Sequence, residues 1–150
     1  MEERPFIHDM EIVAQLEKDM RYISGIVKQK GRELLNDYNI TPPQFIALQW
    51  LFDEGDMTIG ELSTKMYLAF STTTDLIDRM EKNELVKRVK DLHDRRVVRV
   101  HLLEKGHSII DEVIKKRQRY LGEMLLHFSP EELVKFKDHL MKLHREMKIE

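Results

Sequence analysis

The apolar spacing of this chain is helical on both sides of residues 86–102 and is not helical within them. Val97, Val98 and Val100, with Leu102 beyond, form a short run rich in β-branched residues, which is the composition of a strand. Val86 and Val89 lie in an opposing run, and Asp91-Leu92-His93-Asp94 has the chemistry of the turn between them. The expectation is one β-hairpin set into an otherwise helical chain, with Arg95 and Arg96 side by side at its tip.

The segments around the hairpin carry apolar residues three and four apart. Residues 8–36 do so through Ile12, Val13, Leu16, Met20, Ile23 and Val27, a long amphipathic helix. In "TPPQFIALQWLFDEG", Thr41 can cap a helix with Pro42 and Pro43 in its first turn, and Gly55 stops it. Thr58 can cap a short helix over "IGELSTKM". In "AFSTTTDLIDRMEKN", Ser71 or Thr72 is the cap candidate, Leu76, Ile77 and Met80 are spaced helically, and Asn83 can take the left-handed conformation at the end. After the hairpin, residues 104–127 form another long helix, and "SPEE" at 129–132 opens a last one.

The order is therefore a long helix, three shorter helices, a hairpin and two long helices. Three short helices followed by a hairpin are the plan of a winged helix-turn-helix. The fold class expected is mostly α with a β-hairpin wing (α+β), a winged helix-turn-helix flanked by long N- and C-terminal dimerisation helices. Its 150 residues fit a single domain, with 37–103 as the winged helix and 8–36 and 104–148 as dimerisation helices.

Charge refines this. A net charge of −2 argues against nucleic acid for the chain as a whole. Residues 1–57, however, hold 6 Lys/Arg against 11 Asp/Glu, while residues 58–102 hold 9 against 7. Six basic residues (Lys87, Arg88, Lys90, Arg95, Arg96, Arg99) face two acidic ones (Asp91, Asp94) within 85–102. The positive charge is local to the hairpin.

In a helix-turn-helix the last helix presents its N-terminal residues to base edges in the major groove. Here those are Ser71, Thr72, Thr73 and Thr74. Hydroxyls both donate and accept, which suits bases and phosphates alike, and four in succession exceed what one cap needs. Arg79, later on the same helix, is placed either for a phosphate or for an ion pair with Asp75. For Arg95 and Arg96 the functional reading is a wing over the minor groove, whose narrow A·T-rich stretches attract guanidinium groups. Asp94 can orient one of them.

These stretches resemble the MarR family of bacterial transcription regulators. The resemblance rests on "TPPQF", the Ser/Thr-rich helix, "DRMEKNELVKR", "DLHDRR" and "LLEKG", in that order and over nearly the whole chain. It implies a homodimer with interleaved first and last helices, two winged domains on a pseudo-palindrome, and often a small aromatic effector. Carried onto this chain, it implies base readers among Ser71 to Thr74, a backbone contact at Arg79, and minor-groove insertion by Arg96 assisted by Arg95. Three positions depart from the family pattern: Glu84 replaces a common glycine, Asp75 a common arginine, and Leu103 the usual threonine.

Other classes are weaker. The chain has no cysteine, which excludes disulfides, thiolate zinc and cysteine-based sensing and fits a cytoplasmic protein. The seven histidines lie apart, and Glu123/His127 and His107/Asp111 share only helical spacing, so no metal and no cofactor are expected. No phosphate loop or nucleophile constellation points to an enzyme, and no apolar run suffices for a membrane. The expected function is a ligand-responsive, DNA-binding repressor acting on double-stranded DNA as a homodimer. The alternative, a winged-helix assembly module, would need neither the hydroxyls nor the basic wing.

Overall fold

The computed structural model describes residues 9–148. In chain order the elements are α1 (Met10–Leu35), α2 (Pro42–Glu54), β1 (Met57–Thr58), α3 (Ile59–Met66), α4 (Phe70–Lys82), β2 (Val86–Lys90), β3 (Val98–Leu102), α5 (Glu104–Met124) and α6 (Pro130–Met147). The expected first helix began at residue 8, which lies outside the described residues. The chain packs as two compact units, and the boundary between Val113 and Ile114 falls inside α5.

Caps set the helix starts. Thr41, Thr58 and Ser129 each close a capping box with Gln44, Glu61 and Glu132, satisfying two otherwise orphaned backbone donors. The start of α4 departs from expectation. Its N-cap is Ala69 and no side chain caps it, so neither Ser71 nor Thr72 has that role.

The hairpin pairs β2 with β3 antiparallel, Val86 opposite Leu102 and Lys90 opposite Val98. A third strand, β1, adds to the other edge of β3, Met57 opposite Val100, giving the order β1-β3-β2. Against this sheet the first unit buries Leu48 and Leu51 of α2, Leu62 of α3, Ile77 and Met80 of α4, and Ile110 of α5. The second unit is different: no residue of α6 is buried.

The turn after α4 also corrects an expectation. Asn83 has φ −86° and ψ 7° and is not left-handed; Glu84 is, with φ 60°. The Leu85 N–H donates back to the Met80 carbonyl at 3.0 Å. That bond requires a left-handed residue immediately before Leu85, and Asn83 is one position too early. A left-handed non-glycine residue costs about 1–2 kcal/mol, of which glycine's extra chain entropy returns roughly half. Glu84→Gly is expected to raise stability by about 0.5–1 kcal/mol, read from urea denaturation midpoints at an unchanged slope. No gain would mean that the turn is unstrained.

Candidate nucleic-acid interface

The core-facing stripe of α4 is Thr73, Ile77 and Met80, spaced i, i+4, i+7 and all fully buried. This corrects the reading of Thr73 as a base reader. Its hydroxyl donates to the Ala69 carbonyl at 3.0 Å and faces the core. Thr74 also donates back, to the Phe70 carbonyl at 3.0 Å, from a half-buried position. Ser71 and Thr72 remain exposed, with no hydrogen bond from their hydroxyls to any described residue. The four hydroxyls thus divide into two turned onto the helix and two turned outward.

Arg79 is exposed on the same helix and makes no ion pair with a described residue; the pair with Asp75 does not form. Asp75 is itself exposed, so a negative charge stands among the outward groups of α4.

The wing is held to the helix-turn-helix by two arginines. Arg88 on β2 donates to Asp78 Oδ1 at 2.6 Å and Glu81 Oε1 at 2.8 Å, both on α4, while its backbone N–H donates to Glu81 Oε2 at 2.9 Å. Burial opposes the Arg88 charge, but the bonds to Asp78 and Glu81 outweigh it and hold its pKa above the ordinary value. Arg99 on β3 donates to Asp91 Oδ2 at 3.0 Å and lies 3.9 Å from Glu61 of α3. Two of the six basic hairpin residues are therefore structural ties, and the charge left free is smaller than composition implied.

The turn between the strands is built by two aspartates. Asp91 Oδ1 accepts the backbone N–H groups of His93 at 2.8 Å and Asp94 at 3.1 Å, an Asx-type turn. Its role went unrecognised in the sequence, although an aspartate followed two and three residues later by free N–H groups is the signal for one. The His93 N–H, then Arg99 and the Asp94 N–H, hold its carboxyl below the usual carboxylate range. Asp94 Oδ1 accepts the Arg96 backbone N–H and Nε–H, both at 3.1 Å, and Oδ2 accepts the terminal guanidinium N–H at 3.2 Å. The Arg96 side chain, then its backbone N–H, likewise depresses the Asp94 carboxyl. Groups depressed in this way order the turn above the ordinary carboxylate range and release it only as pH falls through their lowered values. The carboxylates that accept the turn's hydrogen bonds accordingly stay ionised throughout the neutral range.

Arg96 is 91% exposed along its side chain although Asp94 holds its near end. Arg95, Lys87 and Lys90 are exposed and have no ion partner among the described residues. The structure thus presents one oriented guanidinium, one free guanidinium and two free ammonium groups on a hydrogen-bonded hairpin. Among the described residues no three His, Asp or Glu side chains come together as a metal site. His107 instead packs against Phe52 at a tilt of 48°, with ring centroids 5.1 Å apart.

Residues 40–98, which carry the outward α4 groups and both wing arginines, match the MarR family. An HTH-type transcriptional regulator of Bacillus subtilis, YsmB, is 66% identical over 139 residues, 93% of this chain and 95% of its own. This chain belongs to the MarR family. A MarR family protein of known structure from Bacillus stearothermophilus shares 62% identity over 93% of this chain and 98% of its own, with a TM-score of 0.88. A transcriptional regulator from Thermotoga maritima shares 34% identity over 89% of this chain and 94% of its own, with a TM-score of 0.71. As a MarR regulator the protein binds DNA through a winged helix-turn-helix and is not an enzyme. No helix among the described residues is long and apolar enough to cross a membrane.

Proposed function

We propose that this MarR protein is a cytoplasmic homodimeric repressor that reads a pseudo-palindromic operator, with α4 in the major groove and the wing over the adjacent minor groove. The observation that carries the reading is Arg88. By tying β2 to Asp78 and Glu81 of α4, it lets the helix with free hydroxyls and the hairpin whose turn bears the arginine pair meet one duplex together. Ser71 and Thr72 then take base edges, Thr74 retains acceptor capacity, Arg79 takes a phosphate, and Arg95 and Arg96 take the minor groove.

The dimer reading rests on apolar surface. On α1, Ile12, Leu16, Ile23 and Ile26 are all more than half exposed. Leu121 and Met124 of α5 and Val134 and Met141 of α6 are exposed to a similar degree. Faces of this length on three amphipathic helices are the pattern that a second copy covers. Their methionines also offer the deformable surface that a small apolar effector would require for release of DNA.

The test joins two measurements on the full chain. Sedimentation at micromolar concentration should give a dimer. A footprint on the DNA upstream of the protein's own gene should protect two half-sites about 34–36 Å apart on one face. A stable monomer, or protection of one half-site at saturation, would overturn the dimeric reading.

A further inference from the structure

The turn between α3 and α4 carries large apolar side chains where a helix-turn-helix needs none. Tyr67 is 94% exposed and Phe70, the first residue of α4, is 61% exposed. The backbone at Tyr67 is left-handed, φ 56° and ψ 39°. The Leu68 N–H closes α3 onto the Ser63 carbonyl at 3.0 Å, which forces that conformation on residue 67. Glycine would take it without strain. The fold thus holds an aromatic ring in solvent, at a conformational cost, beside the outward hydroxyls of Ser71 and Thr72.

We propose that Phe70 and Tyr67 contact thymine methyl groups in the major groove, so that this protein separates thymine from the other bases by apolar contact as well as by hydrogen bonds. The inference rests on the placement of α4 proposed above. The first residues of a helix so placed stand nearest the base edges. Of the base-edge groups displayed there, the thymine C5-methyl is the one bulky apolar group; cytosine offers only a C5–H in its place. A phenyl ring cannot satisfy a donor or acceptor and would desolvate it without return, so thymine is the base it favours.

The position also argues for DNA over a protein partner. Phe70 directly precedes the exposed Ser71 and Thr72 on α4, the helix that also carries Arg79. Both rings are separate in sequence from the apolar faces of α1, α5 and α6. Being neutral, the rings displace no counterion, and their effect is independent of salt, unlike that of the wing.

The test uses the full chain and duplexes that it enriches from a random-sequence library. Each enriched thymine is replaced by deoxyuridine, which removes the methyl and leaves every hydrogen-bonding group in place. Wild type should bind about fourfold more weakly for each contacted methyl removed, and about fifteenfold when the matching position of both half-sites is changed. Phe70→Ala should bind thymine and deoxyuridine duplexes equally at its position, and Tyr67→Ser at its own, with wild-type salt dependence and melting temperature. Equal binding of both duplexes by wild type would overturn this proposal alone and leave base reading by α4 intact. Retained thymine preference in both variants would do the same. So would variants that keep the preference but sediment with a smaller mass, since the rings would then dock a second copy. Failure to enrich any duplex would overturn the groove placement of α4 and this proposal together.

Discussion

Gly106→Ala is expected to melt several degrees below wild type, although it replaces glycine by alanine inside a helix. A Cβ on residue 106 would stand 2.4 Å from the Leu85 carbonyl oxygen, 2.9 Å from Leu102 Cδ1 and 3.2 Å from Leu48 Cδ2. The leucine tips can turn aside, but the carbonyl cannot. It accepts the Leu103 N–H at 3.0 Å, and the Leu85 N–H is bonded to the Met80 carbonyl. Moving it would disturb the end of α4, the left-handed Glu84 and the start of β2 together. Overpacking costs about 1–3 kcal/mol, and a distorted buried hydrogen bond about 1 kcal/mol more. The gain in helix propensity offsets roughly 1 kcal/mol. The net loss is about 1–3 kcal/mol, a fall in Tm of roughly 2–12 °C for a chain of this size. Gly122→Ala, also in α5 but with nothing within 4 Å of the added Cβ, should hold or raise Tm in the same melts. A Gly106→Ala protein as stable as Gly122→Ala would show that α5 can move away from the α4–β2 turn at no cost.

The pattern around Gly106 shows how far sequence carries. "LLEKG" marked the position, but only packing explains it, because the carbonyl it must admit lies about twenty residues earlier. The helices were legible because period and caps are local: Thr41, Thr58 and Ser129 each cap as their neighbours imply. The strand β1 was not, since two residues carry no period and Met57–Thr58 becomes a strand only by pairing with β3. Thr73 carries its own signal: extending the Ile77 and Met80 stripe back by one turn puts residue 73 in the core, and that spacing outweighs its hydroxyl. Arg88 and Arg99 could not be separated from the free cations, because their partners lie on other elements.

Substituting the wing arginines should have the largest effect on DNA binding, and the two should fail in different ways. Arg95 has no ion partner among the described residues and acts as a free charge. Arg95→Ala should flatten the salt dependence of operator binding by about one unit per wing, roughly two per dimer, while base preference holds. Arg96 is held by Asp94 at 3.1 Å through Nε–H and points its guanidinium from a fixed base. Arg96→Ala should weaken binding by about 1–3 kcal/mol per contact and also lose the preference for A·T pairs at the flanks of the site. Asp94→Asn separates orientation from charge. It removes a negative group close to DNA, which by Coulomb attraction alone would tighten binding. If the Asp94 carboxylate aims Arg96, binding should instead weaken and the A·T preference should fall. Thr72→Ala is the control on the other element: central base preference relaxes at an unchanged salt slope, since a neutral hydroxyl releases no counterion. Affinities of the four variants across a salt series, with thermal melts to confirm folding, decide the matter. Tighter binding by Asp94→Asn with flank preference intact would reduce the arginine pair to diffuse charge. An Arg96→Ala protein that binds as wild type would take the wing out of the groove altogether.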